Sequence, residues 1–110
     1  MGMTTEYATS EPTREVVDAL QGPVLIEFGT SWCGHCAAAQ PLLAKIMADY
    51  PQVRHLKIED AAGRKLGRSF QVKLWPTLVF ARDGKTVSRL VRPTSISELE
   101  EAFEQLTGEC

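Results

Sequence analysis

Val24-Leu25-Ile26-Glu27-Phe28-Gly29-Thr30-Ser31-Trp32-Cys33-Gly34-His35-Cys36 is the stretch on which the fold turns. Its first five residues form a nearly continuous apolar run of strand length, as expected of a strand covered on both faces. Gly29-Thr30-Ser31 reads as a turn, and Cys33 then stands at the first turn of a helix reaching about Tyr50. Pro41 falls inside that helix and should kink it. The C-x-x-C spacing brings two sulfurs within reach of one disulfide across a single helical turn. Unpaired N–H groups and the macrodipole at the helix start favour a Cys33 thiolate, whereas Cys36, one turn deeper, is shielded. A zinc site would need a second ligand pair, which His35 and His55 do not supply. Covalent haem would need His where Ala37 stands. Two idle core cysteines would sit poorly with Gly34-His35 between them. A redox-active pair at a strand-to-helix junction is the reading that remains.

Glu27 interrupts the apolar strand and shares a sheet face with Leu25. It should therefore be buried beneath a helix layer, where a carboxylate without a partner raises its pKa.

Working outward, residues 12–20 open with Pro12 at a helix start and place Val16, Val17 and Leu20 on one face. Gly22-Pro23 stops that helix. Upstream, Tyr7-Ala8 hints weakly at a first strand. Downstream, Val53 to Glu59 alternates as a strand, with Val53, His55 and Lys57 set against Arg54, Leu56 and Ile58. Residues 61–69 form a short helix. Thr77 to Phe80 and Thr86 to Val91 are strands joined by the hairpin signal Asp83-Gly84. Ser95 and Glu98 make a capping box ahead of a helix carrying Ile96, Leu99, Phe103 and Leu106 on one face. This order predicts an α/β fold, a mixed sheet of four to five strands with four helices on both faces. The 110 residues read as one domain, with residues 1–6 loose and 107–110 a tail.

A net charge of −2 offers no basic field for nucleic acid, and no apolar stretch is long enough to span a membrane. Residues 1–12 carry neither a basic nor an apolar leader segment. Glu6 stands where a myristoylation motif wants Ser or Thr, and Met1-Gly2 ahead of Met3 reads as an expression remnant. Three cysteines do not make a disulfide scaffold, so a reducing compartment, the cytoplasm, is expected. A mature exported form would look similar. Cys110 reads as an exposed thiol without a role.

At these residues the chain resembles the thioredoxin family from about Tyr7 to Leu106. The family's Trp-Cys-Gly-x-Cys is Trp32 to Cys36, its helix proline is Pro41, its cis-proline followed by Thr is Pro76-Thr77, and its hairpin is Asp83-Gly84. Gly34-His35 is the dipeptide typical of protein disulfide isomerases. The resemblance implies a thioredoxin fold and dithiol–disulfide exchange with protein substrates, with no bound cofactor or metal. Cys33 attacks, Cys36 resolves, and Glu27 accepts the Cys36 proton through water. Gly34 and His35 tune the potential. Trp32, Trp75, Pro76 and Arg92 surround the substrate, a cis bond presenting the Trp75 backbone to an extended strand.

Three departures stand out. Trp75 replaces the family's usual aliphatic residue or Thr, enlarging the apolar docking surface or simply packing. Arg92-Pro93 stands where Gly is usual; its charge either favours the Cys33 thiolate and acidic substrates or is merely solvated. His55 is read where a Lys often neighbours the buried acid. The expected protein is a monomeric cytoplasmic reductase served by a thioredoxin-reductase-like electron donor. Two alternatives are an oxidase or isomerase in an oxidising compartment, and a binding, assembly or chaperone module with idle cysteines.

Overall fold

The computed structural model describes residues 3–61 and 64–108. Strand β1, Pro23–Gly29, is buried almost along its whole length because both neighbours and both helix layers cover it. It pairs in parallel with β2, Arg54–Glu59, and antiparallel with β3, Thr77–Arg82. Strand β4, Lys85–Val91, pairs antiparallel with β3 and completes a four-stranded mixed sheet of order β2-β1-β3-β4. Asp83 and Gly84 join β3 to β4 with φ of 52° and 83°, the two positive values a primed hairpin turn demands.

Among the described residues four helices cover this sheet: α1 (Arg14–Asp18), α2 (Gly34–Met47), α3 (Lys65–Ser69) and α4 (Ile96–Thr107). The period-two geometry of β1 sends alternate residues to opposite faces and so divides the interior into two cores. Leu25 joins Leu43, Ile46, Phe80, Leu99 and Phe103 under α2 and α4. Val24, Ile26 and Phe28 join Val17, Leu66 and Phe70 under α1 and α3. Ser95 and Glu98 form the expected capping box on α4.

The expected first strand shrinks to one parallel bridge between Ala8 and Ile58. Ala8 uses both backbone groups there, donating to the Lys57 carbonyl at 2.7 Å and accepting from the Glu59 N–H at 3.1 Å. Further up the chain, contact with β2 passes through side chains, so no ladder extends from the bridge. The Thr4 N–H donates to His55 Nδ1 and the Thr4 hydroxyl to the His55 carbonyl, both at 2.9 Å. Those bonds, and Met3 packed on the core, anchor residues expected to be loose. At the other end α4 continues through Thr107, whose hydroxyl donates to the Phe103 carbonyl, so the helix takes in the first residue expected of the tail. Of the Val16-Val17 pair only Val17 is buried. Met1, Gly2 and Cys110 lie outside the described residues.

Candidate active site

The β1–α2 junction makes the two cysteines unlike. Cys33 is the N-cap of α2, with extended backbone, and its Sγ accepts the Cys36 N–H at 3.1 Å. A cap acceptor satisfies one of the orphan N–H groups of the first turn; here that acceptor is the sulfur of a partly exposed cysteine. Cys36, three residues on, is 1% exposed. Burial, and then the Cys33 sulfur, push its thiol up to about 11, with the Thr30 backbone and the Tyr7 hydroxyl acting the other way.

Beneath α2, Glu27 is completely buried, as the strand pattern predicts, but it is not alone. His55 Nε2 lies 2.8 Å from Oε1, Lys57 Nζ lies 3.2 Å from Oε2, and the Gln40 amide donates to Oε2 at 2.9 Å. The expected rise in its pKa is therefore corrected. Burial pushes the value up, but the His55 hydrogen bond, the Lys57 charge and the Gln40 hydrogen bond together outweigh it and hold the carboxyl below 4.5. The lysine expected to be missing is present as Lys57, directly opposite Glu27 in the parallel register. His55 adds to it rather than replacing it. Because the Thr4 N–H points at Nδ1, that nitrogen carries a lone pair. The ring proton is then on Nε2, given to Glu27, so the ion pair is the one with Lys57. Gln40 ties this cluster to the redox helix: its amide also donates to the Cys36 carbonyl at 2.8 Å, and its oxygen accepts from Lys57 at 2.6 Å. A cleft of about 400 Å³, lined by Tyr7, Thr30, Ala37, Gln40, Lys57 and others, opens beside these groups and has room for water.

Opposite the cysteines, the Trp75–Pro76 peptide is cis, as the resemblance implies. The Trp75 carbonyl accepts the Cys33 thiol at 3.9 Å and Arg92 Nε at 2.8 Å. Arg92, with φ of 51°, also donates its backbone N–H to the Pro76 carbonyl. Its side chain is thus committed to the loop beside the pair rather than merely solvated. The Trp75 indole is half-buried and donates to Asp60 Oδ2 at 2.9 Å, so it is partly packed as well as presented. Trp32 is 66% exposed, and Leu74 and Val91, adjacent in sequence to Trp75 and Arg92, are exposed too. His35 and Gly34 lie exposed in the first turn of α2. Every site residue singled out in the sequence therefore falls on the β1–α2 junction, the two loops that carry Trp75-Pro76 before β3 and Arg92 after β4, or the buried cluster between α2 and the sheet.

Four residues of the site escaped sequence reasoning: Tyr7, Gln40, Lys57 and Asp60. Lys57 had a usable signal. It shares an alternating face with Val53, which is fully buried, and a lysine on a buried face needs an acid on a neighbouring strand. Among the described residues no cluster of metal-ligating side chains occurs.

A family model, Thioredoxin, matches residues 4–105. The chain is 39% identical over 70 residues to a thioredoxin of Chlamydia muridarum, covering 64% of this chain and 69% of that protein. It is 28% identical to thioredoxin Asp f 28 of Aspergillus fumigatus over 79% of this chain and 81% of that one. Among solved structures, reduced thioredoxin 2 from Pseudomonas aeruginosa PAO1 superposes with a TM-score of 0.88 at 65% identity, covering 98% of this chain and all of that one.

Proposed function

The chain belongs to the thioredoxin family and is a thiol–disulfide oxidoreductase, and from that premise we propose how its residues divide the work on protein disulfides. Cys33, as thiolate, attacks one sulfur of a substrate disulfide. The substrate's other sulfur leaves as a thiolate, and a mixed disulfide remains on Cys33. The Cys36 thiolate then attacks the Cys33 sulfur. A Cys33–Cys36 disulfide forms, the second substrate thiolate leaves, and two electrons have passed from protein to substrate.

The observation that carries this assignment is the asymmetry of the pair. The cap sulfur is accessible and holds an N–H; the other thiol is buried and its proton is hard to remove. Glu27 takes that proton, through water in the adjoining cleft. Its depressed pKa makes the transfer uphill, so it proceeds because attack on Cys33 consumes the thiolate as it forms. Gln40, bonded to both Glu27 and the Cys36 backbone, keeps acceptor and donor in register.

Trp32, Leu74, Trp75, Pro76 and Val91 form the apolar rim on which an extended substrate segment docks. Arg92 holds the Trp75 carbonyl in place beside Cys33 and gives the rim a positive charge suited to acidic substrates. Gly34 and His35 set the redox potential. The protein works as a monomeric reductase in the cytoplasm, needs no cofactor of its own, and is re-reduced by thiol exchange with a thioredoxin-reductase-like donor. Trapping tests the scheme in a Cys110→Ser background: a Cys36→Ser variant should accumulate mixed disulfides with protein substrates through Cys33, and a Cys33→Ser, Cys36→Ser variant should accumulate none. Adducts that form equally well on a Cys33→Ser single variant would overturn the division of roles.

A further inference from the structure

The point where a side chain would begin on Gly29 is already occupied by two other residues. A Cβ there would lie 2.6 Å from Cys36 Sγ and 3.1 Å from the Tyr7 hydroxyl oxygen. The bare glycine lets both atoms approach the same point beside it. The Tyr7 hydroxyl is buried, and among the described residues it finds no hydrogen-bond partner of normal geometry. An unmatched buried hydroxyl costs on the order of 1–3 kcal/mol, so its position calls for an explanation. Its ring is held from the other side by Lys57, whose Nζ lies 4.4 Å from the ring centroid.

From this geometry we propose that Tyr7 is the hydrogen-bond donor to the Cys36 thiolate during the resolving step, its hydroxyl placed near the sulfur before the charge forms. The inference rests on the assignment of Cys36 as resolving thiol. No proton is transferred by Tyr7. The Cys36 proton goes to Glu27, and the phenol keeps its own while donating to the sulfur left behind. The charged and titratable groups that face the phenol are Cys33, Cys36, Glu27 and Lys57. Burial, and then the negative charge of Glu27, push its pKa well above 10. It therefore stays protonated, and a donor, throughout the working pH range. A hydrogen bond to a charged group is worth more than one between neutral groups, so the hydroxyl stabilises the thiolate more than the thiol.

Reaction with a chromogenic aryl disulfide in excess separates the two steps, in a Cys110→Ser background that leaves only the redox pair to react. Release of the first aryl thiolate reports Cys33 attack, and release of the second reports resolution by Cys36. Tyr7→Phe, which keeps the ring on Lys57, should slow the second phase about tenfold, roughly 1.4 kcal/mol of hydrogen bonding. Its pH midpoint should move upward while the first phase stays unchanged. Incorporating 3-fluorotyrosine at position 7, a stronger donor of nearly the same shape, should move the midpoint downward. An unchanged second phase in Tyr7→Phe, or equal slowing of both phases, overturns the inference. A second phase that persists in Cys36→Ser instead overturns the assignment of the resolving thiol, whatever Tyr7 does.

Discussion

At the scale of single residues, Glu27 shows how far a strand pattern reaches. An acid in the middle of Val24-Leu25-Ile26-Glu27-Phe28 announces burial, and burial is found. The sign of its pKa shift depends instead on three partners, from 13 to 30 residues away in the chain, whose convergence no periodicity encodes. Those partners make a firm prediction. Glu27→Gln leaves the Lys57 ammonium, itself 3% exposed, without its counter-charge, and should cost about 3 kcal/mol in urea unfolding. The folded pKa lies below the 4.5 of the unfolded chain. The carboxylate's stabilisation is therefore complete above that pH and is lost as pH falls through the folded value, where the unfolded chain binds the proton first. Glu27→Gln should accordingly flatten the acid limb of the stability curve. For His35 the prediction concerns the potential rather than the fold. When protonated it stabilises the Cys33 thiolate and offers nothing comparable to the neutral disulfide. A value between roughly −270 and −180 mV is expected, and His35→Pro should make it more negative, as read by equilibration with glutathione. Proline is tolerated in the first turn of a helix, so the comparison isolates charge.

At the scale of elements, strands and long helices were legible because burial imposes period and caps impose residue types. The β1 run, the Asp83-Gly84 turn and the Ser95–Glu98 box all stand where their chemistry places them. Short elements were less so, since a helix such as Lys65–Ser69 is defined by what it packs on rather than by its own pattern. Gly67 in α3 illustrates this. A Cβ there would fall 2.1 Å from Asp60 Oδ1, the carboxylate that fixes the Trp75 indole. Helix propensity alone favours Gly67→Ala by about 1 kcal/mol, but overpacking typically costs 1–3 kcal/mol. Because the clash is with a buried carboxylate, the net effect should be destabilising. Urea unfolding gives the sign. The same variant should loosen Trp75, read as a change in tryptophan fluorescence that a Trp75→Phe background abolishes.

On the whole-molecule scale, the sheet separates two tasks. The core under α2 and α4 lies on the side of Glu27, Gln40 and Cys36; α3, on the other side, braces Asp60 and through it the Trp75 indole. Truncation in the second core should therefore touch recognition before chemistry. Leu66→Ala is expected to cost about 3 kcal/mol of stability and to raise KM for a protein disulfide, while reduction of a small aryl disulfide proceeds at the native rate. What no sequence pattern announced is the reach of the N-terminal segment. Thr4 selects which nitrogen of His55 bears the proton, and Tyr7 stands against the Cys36 sulfur. Residues before the first helix would be the natural ones to trim for crystallisation or to replace with an affinity tag. Recombinant forms that differ only there are not interchangeable in redox work: a version shortened past Tyr7 would keep both cysteines, yet lose the Met3 and Thr4 contacts along with the phenol, and report another enzyme's kinetics.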